Sequence, residues 1–162
     1  MLLSVARVSS AQGNPRGTAE LMLKGKAVSV EYGRPALKGR TVEQLLGKLK
    51  PGGVWRLGAD KSTTFSTDLD LAFDDVTVPK GVYSLWARKE ADKSWKLVFN
   101  KQHGQWGTEH DPALDLFSVP VKESKAAKAE EQVTLTLTSA AGAGVLSIQW
   151  GAMALSASFK GK

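Results

Sequence analysis

The sequence predicts an all-β fold, an antiparallel β-sandwich of jelly-roll-like build with one short helix. Three observations predict it: repeated apolar–polar alternation at period two, turn signals about every eight to twelve residues, and one stretch with helical periodicity. A chain of 162 residues fits one domain able to bury a sizeable core.

Thr18–Leu23 and Ala27–Tyr32 both alternate, and Lys24-Gly25-Lys26 between them makes a hairpin. Gly33-Arg34-Pro35 ends the second strand, because Pro35 has no N–H for a ladder and restricts Arg34. Thr41–Leu49 is the helical stretch. Thr41 can cap it with Gln44 three residues on, Val42, Leu45, Leu46 and Leu49 share a face, and Pro51-Gly52-Gly53 closes it. Val54–Leu57 and Thr63–Thr67 follow as strands about the turn signal Gly58-Ala59-Asp60-Lys61. Leu69–Phe73, Val76–Val78, Gly81–Lys89, Ser94–Asn100 and Leu116–Val121 complete the central strands. Lys122–Glu131 reads as a charged connector of some helical propensity. Gln132–Thr138 then alternates Val133, Leu135 and Leu137 against threonines, and Ala140–Gly144 turns the chain into strands Val145–Trp150 and Ala152–Phe159. The chain divides into residues 1–17, a signal-peptide remnant or disordered tail, and a single sandwich domain, 18–162.

Composition narrows the function. Hydrophobic content of 42% with 23% charged residues is globular rather than disordered. The net charge of +6 is scattered and comes with no nucleic-acid motif, which reads as solubility, with room for an anionic ligand, rather than DNA or RNA binding. The chain has no cysteine, so disulfides, thiol catalysis and cysteine-ligated metals are excluded. No apolar run approaches the roughly 18 residues of a membrane helix. Met1–Gln12 ends in small residues, with Ser9 and Ala11 placed before a cut at Gln12, and resembles the last part of a secretory signal. A periplasmic or secreted location is the corresponding expectation.

Between Asn100 and Phe117 the sequence NKQHGQWGTEHDPALDLF gathers both histidines, Trp106, Gln105, Glu109, Asp111 and Asp115, flanked by strands. A polar loop on a rigid scaffold is where binding and catalytic groups concentrate. His103, Glu109 and His110 are a candidate metal set, since imidazole with carboxylate suits zinc or copper. Their spacing nevertheless matches no standard motif, and two solvated loop histidines account for it as well. No serine has a G-x-S-x-G elbow, and the pairs Asp111/Asp115 and Glu109/Asp111 have no distance legible from sequence. On a strand Trp55 and Arg56 face opposite ways, so one is core and the other faces solvent or a cleft. Trp86, Trp95 and Trp150 read as core or sheet-face residues, whereas Trp106 in the loop suits a flat polar ligand such as a glycan, or a lid packed on the sandwich.

Four segments carry a resemblance. Tyr32-Gly33-Arg34-Pro35 with Lys38-Gly39-Arg40 is similar to the YGRP-x-x-KGR signature of the bacterial family called domain of unknown function 2911. Val54–Asp60 with Thr63-Thr64, Val78–Leu85, and Phe99–Lys101 with Gln105–Gly107 and Asp111 resemble its other blocks, in order over residues 18–159. The resemblance implies an exported bacterial protein and brings no established activity. The polar and aromatic positions it carries over are Tyr32, Arg34, Arg40, Trp55, Arg56, Asp60, Gln105, Trp106 and Asp111, which form a site or lock turns. Lys61 stands where the family would have glutamate, and His103 and His110 stand where it has other residues, tyrosine at the second. Three readings follow. The first is a module binding a polar small molecule, glycan or envelope component through Tyr32, Arg34, Arg40, Arg56, Asp60, Gln105, Trp106 and Asp111, with no cofactor. The second is a zinc or copper enzyme of cupin-like build. The third is an envelope protein acting by protein–protein contact at a sheet face or edge, a homodimer among its forms.

Overall fold

In the computed structural model, residues 13–162 are described, and the signal-like stretch Met1–Gln12 lies outside them. The first hairpin is as alternation predicts, β1 (Arg16–Leu23) against β2 (Lys26–Gly33), with Lys24 and Gly25 in the left-handed turn between. Residues 14–17 also join the fold. The Pro15 carbonyl accepts from the Arg34 amide at 2.8 Å, and Asn14 reaches Asp60.

Helix α1 (Val42–Leu46) carries the expected capping box, Thr41 accepting from the Gln44 amide while Gln44 accepts from the Thr41 amide. Only Val42 of its apolar face is buried; Leu45, Leu46 and Leu49 are half-buried. The remaining strands are β3 (Val54–Trp55), β4 (Thr63–Thr67), β5 (Leu71–Phe73), β6 (Val76–Val78), β7 (Gly81–Lys89), β8 (Trp95–Asn100), β9 (Asp115–Pro120), β10 (Lys122–Ala140) and β11 (Ala143–Gly161).

They form two antiparallel sheets. One has the order β1-β2-β4-β7-β8-β9, with β3 also on β7, and the other the order β10-β11-β5-β6. This is the all-β sandwich that the sequence predicts. The core between the sheets is built from inward residues of both. Phe99 meets Phe65, Phe73 and Tyr83, and Phe73 meets Phe159, at ring separations of 5.1–5.8 Å. Trp55 stacks on Trp150 at 5.9 Å and meets Trp95 edge-on at 6.2 Å in the core between the sheets, while Trp86 is buried outside that cluster.

Two expectations change. Lys122–Glu131 is not a helical connector but the first half of β10, an edge strand paired on one side with β11. Its Lys, Glu and Ala residues favour a helix locally, but pairing to β11 decides the conformation. Likewise the two predicted C-terminal strands are one, β11. Inward residues fall at even positions up to Trp150 and at odd positions from Leu155 to Phe159. The phase changes at Gly151, in the left-handed region with φ 57°, beside the register shifts with β10.

Candidate functional site

The site starts from an interrupted strand. Val54 and Trp55 pair with Arg88 and Ala87 of β7, and Thr63–Thr67 pair with Leu85–Gly81 of the same strand. The chain keeps one direction throughout, so the Gly58–Lys61 turn signal marks no reversal. Between Trp55 and Thr63 the chain leaves the sheet in an excursion opposite Trp86 and then rejoins it.

The excursion is tightly fixed. Leu57 and Asp60 are both left-handed, with φ 58° and 63°. For a leucine this is a strained conformation that persists only when the surroundings over-determine it. Leu57 is fully buried, the Thr63 hydroxyl donates to the Arg56 carbonyl at 3.0 Å, and Arg16 donates to the Ala59 and Lys61 carbonyls at 2.9 and 3.0 Å. The Asp60 carboxylate accepts from the Asn14 amide at 2.9 Å. From the other side the loop after β8 docks by a short antiparallel bridge: Gly107 N–H donates to the Asp60 carbonyl at 2.7 Å and Ser62 N–H to the Gln105 carbonyl at 2.9 Å.

That loop is itself organised by Asn100, which is fully buried. Its amide donates to the Asp111 carbonyl at 3.0 Å and to Asp115 Oδ1 at 2.7 Å, and its oxygen accepts from the Gln102 amide at 2.9 Å. Asp115 Oδ1 also lies 2.9 Å from His110 Nε2, and the imidazole packs on Trp86 with ring centroids 4.8 Å apart. Gln105 accepts from Ser62 and donates to Ser84 and the Glu109 carbonyl, while Ser84 also accepts from the Trp86 indole at 2.9 Å.

A cleft of ≈ 520 Å³ opens between α1, the excursion and this loop. Leu45, Leu46, Leu49 and Val54 give it an apolar wall, and Trp55 and Trp86 contribute indoles. Lys48, Arg56, Thr108 and His110 supply its polar side chains, with Gly107 beneath Arg56. Gly107 is a required glycine, since a Cβ there would stand 2.7 Å from Arg56 Cδ and 2.8 Å from the Asp60 carbonyl oxygen.

The sequence-predicted residues divide accordingly. Arg56 and His110 line the cleft, as does Trp55. Tyr32 is in the core and donates to the Leu135 carbonyl; Arg34 clamps β10 through the Val133 carbonyl and Thr134 Oγ1; Arg40 closes its own turn on Leu37 and Ala36. Asp60 and Gln105 brace the loops, and Asp111 caps the short 3₁₀ turn Pro112–Leu114 through the Ala113 amide. Trp106 is 49% exposed and stands outside the cleft lining. His103 and Glu109 are exposed and His110 is paired with Asp115; among the described residues no three His, Cys, Asp or Glu side chains converge as a metal would require. Lys48, Trp86 and Asn100 are not among the sequence-predicted site residues, and Asp115 is predicted only as a member of a carboxylate pair. The half-exposed apolar face of α1 is the signal that points to a cleft wall.

Residues 14–159 match the family model described as Protein of unknown function (DUF2911). The chain belongs to this family. No curated protein and no solved structure matches the DUF2911 chain. The four segments that carry the sequence resemblance meet around the excursion of this DUF2911 protein. Gly33 lies against Ala59, Asp60 binds Gly107, and Gln105 reaches Ser84.

Charge also braces the excursion. Arg16 holds Glu31 through paired bonds of 2.8 Å, and this contact keeps the Glu31 carboxyl below the ordinary value of 4.5, against an opposing push from burial. A lowered pKa stabilises the fold above the unfolded value, and the gain is lost as pH falls through the folded value. Glu31→Gln is therefore expected to flatten the stability–pH curve of the DUF2911 domain below about pH 4.5. The change should be only about 0.5 kcal/mol, because the pair is partly solvated. Chemical denaturation across pH checks this, and an unchanged acid limb would refute it.

Proposed function

We propose that this protein is a binding module for a polar small molecule, such as a glycan unit or another envelope component, and that its site is the cleft beneath α1. The carrying observation is the cleft itself: two indoles, an apolar helix face and a few polar side chains around ≈ 520 Å³. Size and lining are those of small-molecule sites, in which apolar walls give affinity and sparse polar groups give orientation. The backbone around it is locked by the excursion's hydrogen bonds, which lowers the ordering cost of binding. The signal-like N-terminus supports an envelope setting for the ligand.

Thr108 is exposed at the cleft, so Thr108→Trp fills it without touching the core. The variant should keep wild-type stability to about 0.5 kcal/mol. A ligand at about a hundred times its Kd should stabilise the wild type by about 2.7 kcal/mol, or about 5–10 °C, and leave Thr108→Trp unmoved. Thermal melts against a panel of glycans and small organic acids provide the measurement. A wild type indifferent to the whole panel, or a variant that responds equally, defeats the proposal.

A further inference from the structure

Resting on that reading, we infer that the cleft selects an acid, a carboxylate or phosphate-type headgroup on a flat apolar body, with Arg56 as the residue that recognises the charge. The observation is a comparison among arginines. Arg16 binds Glu31 and two carbonyls, Arg34 binds Val133 and Thr134, Arg40 binds Leu37 and Ala36, and Arg88 binds Glu90. Among the described residues Arg56 alone has a guanidinium with no protein acceptor, although it is half-buried against the cleft. A guanidinium carries five donors in a planar fork and matches a carboxylate or phosphate bidentately. Its nitrogens still reach water in the cleft, and an anionic acceptor replaces that water with a stronger, charge-assisted bond.

The surroundings have the same sign. No aspartate or glutamate lines the cleft, and Lys48 lies on it as a second cation. Asp115, the carboxylate against the cleft histidine, is engaged by Asn100 and His110. Arg56 is also held in place, its Cδ lying over Gly107 where no Cβ intrudes. The rest of the lining, the α1 leucines with the largely buried Trp55 and Trp86, suits a ring or a short branched chain better than a second polar group. A neutral sugar would suit the apolar walls but offer the guanidinium only neutral hydroxyl acceptors, weaker partners than a carboxylate or phosphate.

The test uses the full chain labelled with ¹⁵N, following the indole and arginine side-chain N–H signals while measuring affinity by calorimetry. The probes are 2-naphthoate and its neutral isostere 2-naphthamide, with glucuronate and methyl glucoside as sugar counterparts. In each pair the acid should bind at least about tenfold more tightly than its neutral partner, the ratio expected for one charge-assisted hydrogen bond. Indole signals of Trp55 and Trp86 should move in the same titrations. Arg56→Ala should abolish the preference for acids, and Arg56→Lys should restore part of it. Equal binding of acid and amide, or a preference that survives Arg56→Ala, overturns the selection for acids and leaves the binding module standing. Indole signals that no probe moves overturn both.

Discussion

Gly33→Ala is expected to lower the melting temperature by about 6–12 °C, the equivalent of about 3 kcal/mol, at the upper end of overpacking costs for a domain of this size. Gly33 closes β2 where the chain crosses the excursion backbone to backbone. A Cβ at this position would stand 2.2 Å from the Ala59 carbonyl oxygen and 2.8 Å from the Ala59 nitrogen. No flexible side chain is available to swing aside, so one of two main chains must shift. β2 is fixed between β1 and β4, and the excursion must therefore lift. Lifting it strains the Arg16 and Gly107 bonds and moves Arg56 away from the cleft. Calorimetry should show the loss of stability, and any cleft ligand should bind more weakly. A drop smaller than about 1 kcal/mol would mean that the excursion moves freely and that its bonds do not hold the site.

Asn100→Ala should cost a comparable amount, about 3 kcal/mol, for a different reason. The side chain is fully buried and satisfies three partners: the Asp111 carbonyl, Asp115 Oδ1 and the Gln102 amide. Alanine leaves all three without it, and each polar group stranded away from water costs about 1–3 kcal/mol, moderated where solvent can reach. The loss should be local. Hydrogen exchange is expected to quicken between Lys101 and Asp115 and to stay slow in β4 and β7. His110 should lose its fixed place as well, because Asp115 would keep only one of its two partners. Exchange that quickened uniformly across both sheets would contradict this account and make Asn100 an ordinary core residue.

What the residues revealed in advance was whatever depends on near neighbours. Alternation at Trp55 and Arg56 put one of them in the core, and Trp55 is the one, although it reaches the cleft beside Arg56 as well. Thr41 with Gln44 announced α1 by a capping box that is entirely local. The polar positions of the family signature were legible as a site or as turn locks, but the sequence did not decide between the two. Arg34 acts on residues 99 and 100 positions away, and Asp60 on one 46 positions away, distances over which sequence holds no register. The same blindness hid the interrupted strand. Gly58-Ala59-Asp60-Lys61 has the chemistry of a turn, and only the shared pairing to β7 shows that the chain continues in its original direction. The charged start of β10 misled for the complementary reason. Its composition favours a helix over short range, and the partner that makes it a strand lies across the 140–143 turn.

The interrupted strand has a consequence for how this scaffold can change. Both ends of the excursion are anchored to one strand, so residues can be added to or taken from it with the β3 and β4 ladders left in place. Chain entropy offers little resistance, since doubling a loop's length costs only about 0.6 kcal/mol. A loop inserted in this segment that keeps Leu57 in the core and the bonds of Ala59, Asp60 and Ser62 should therefore alter the shape and charge of the cleft while the sandwich beneath it folds as before.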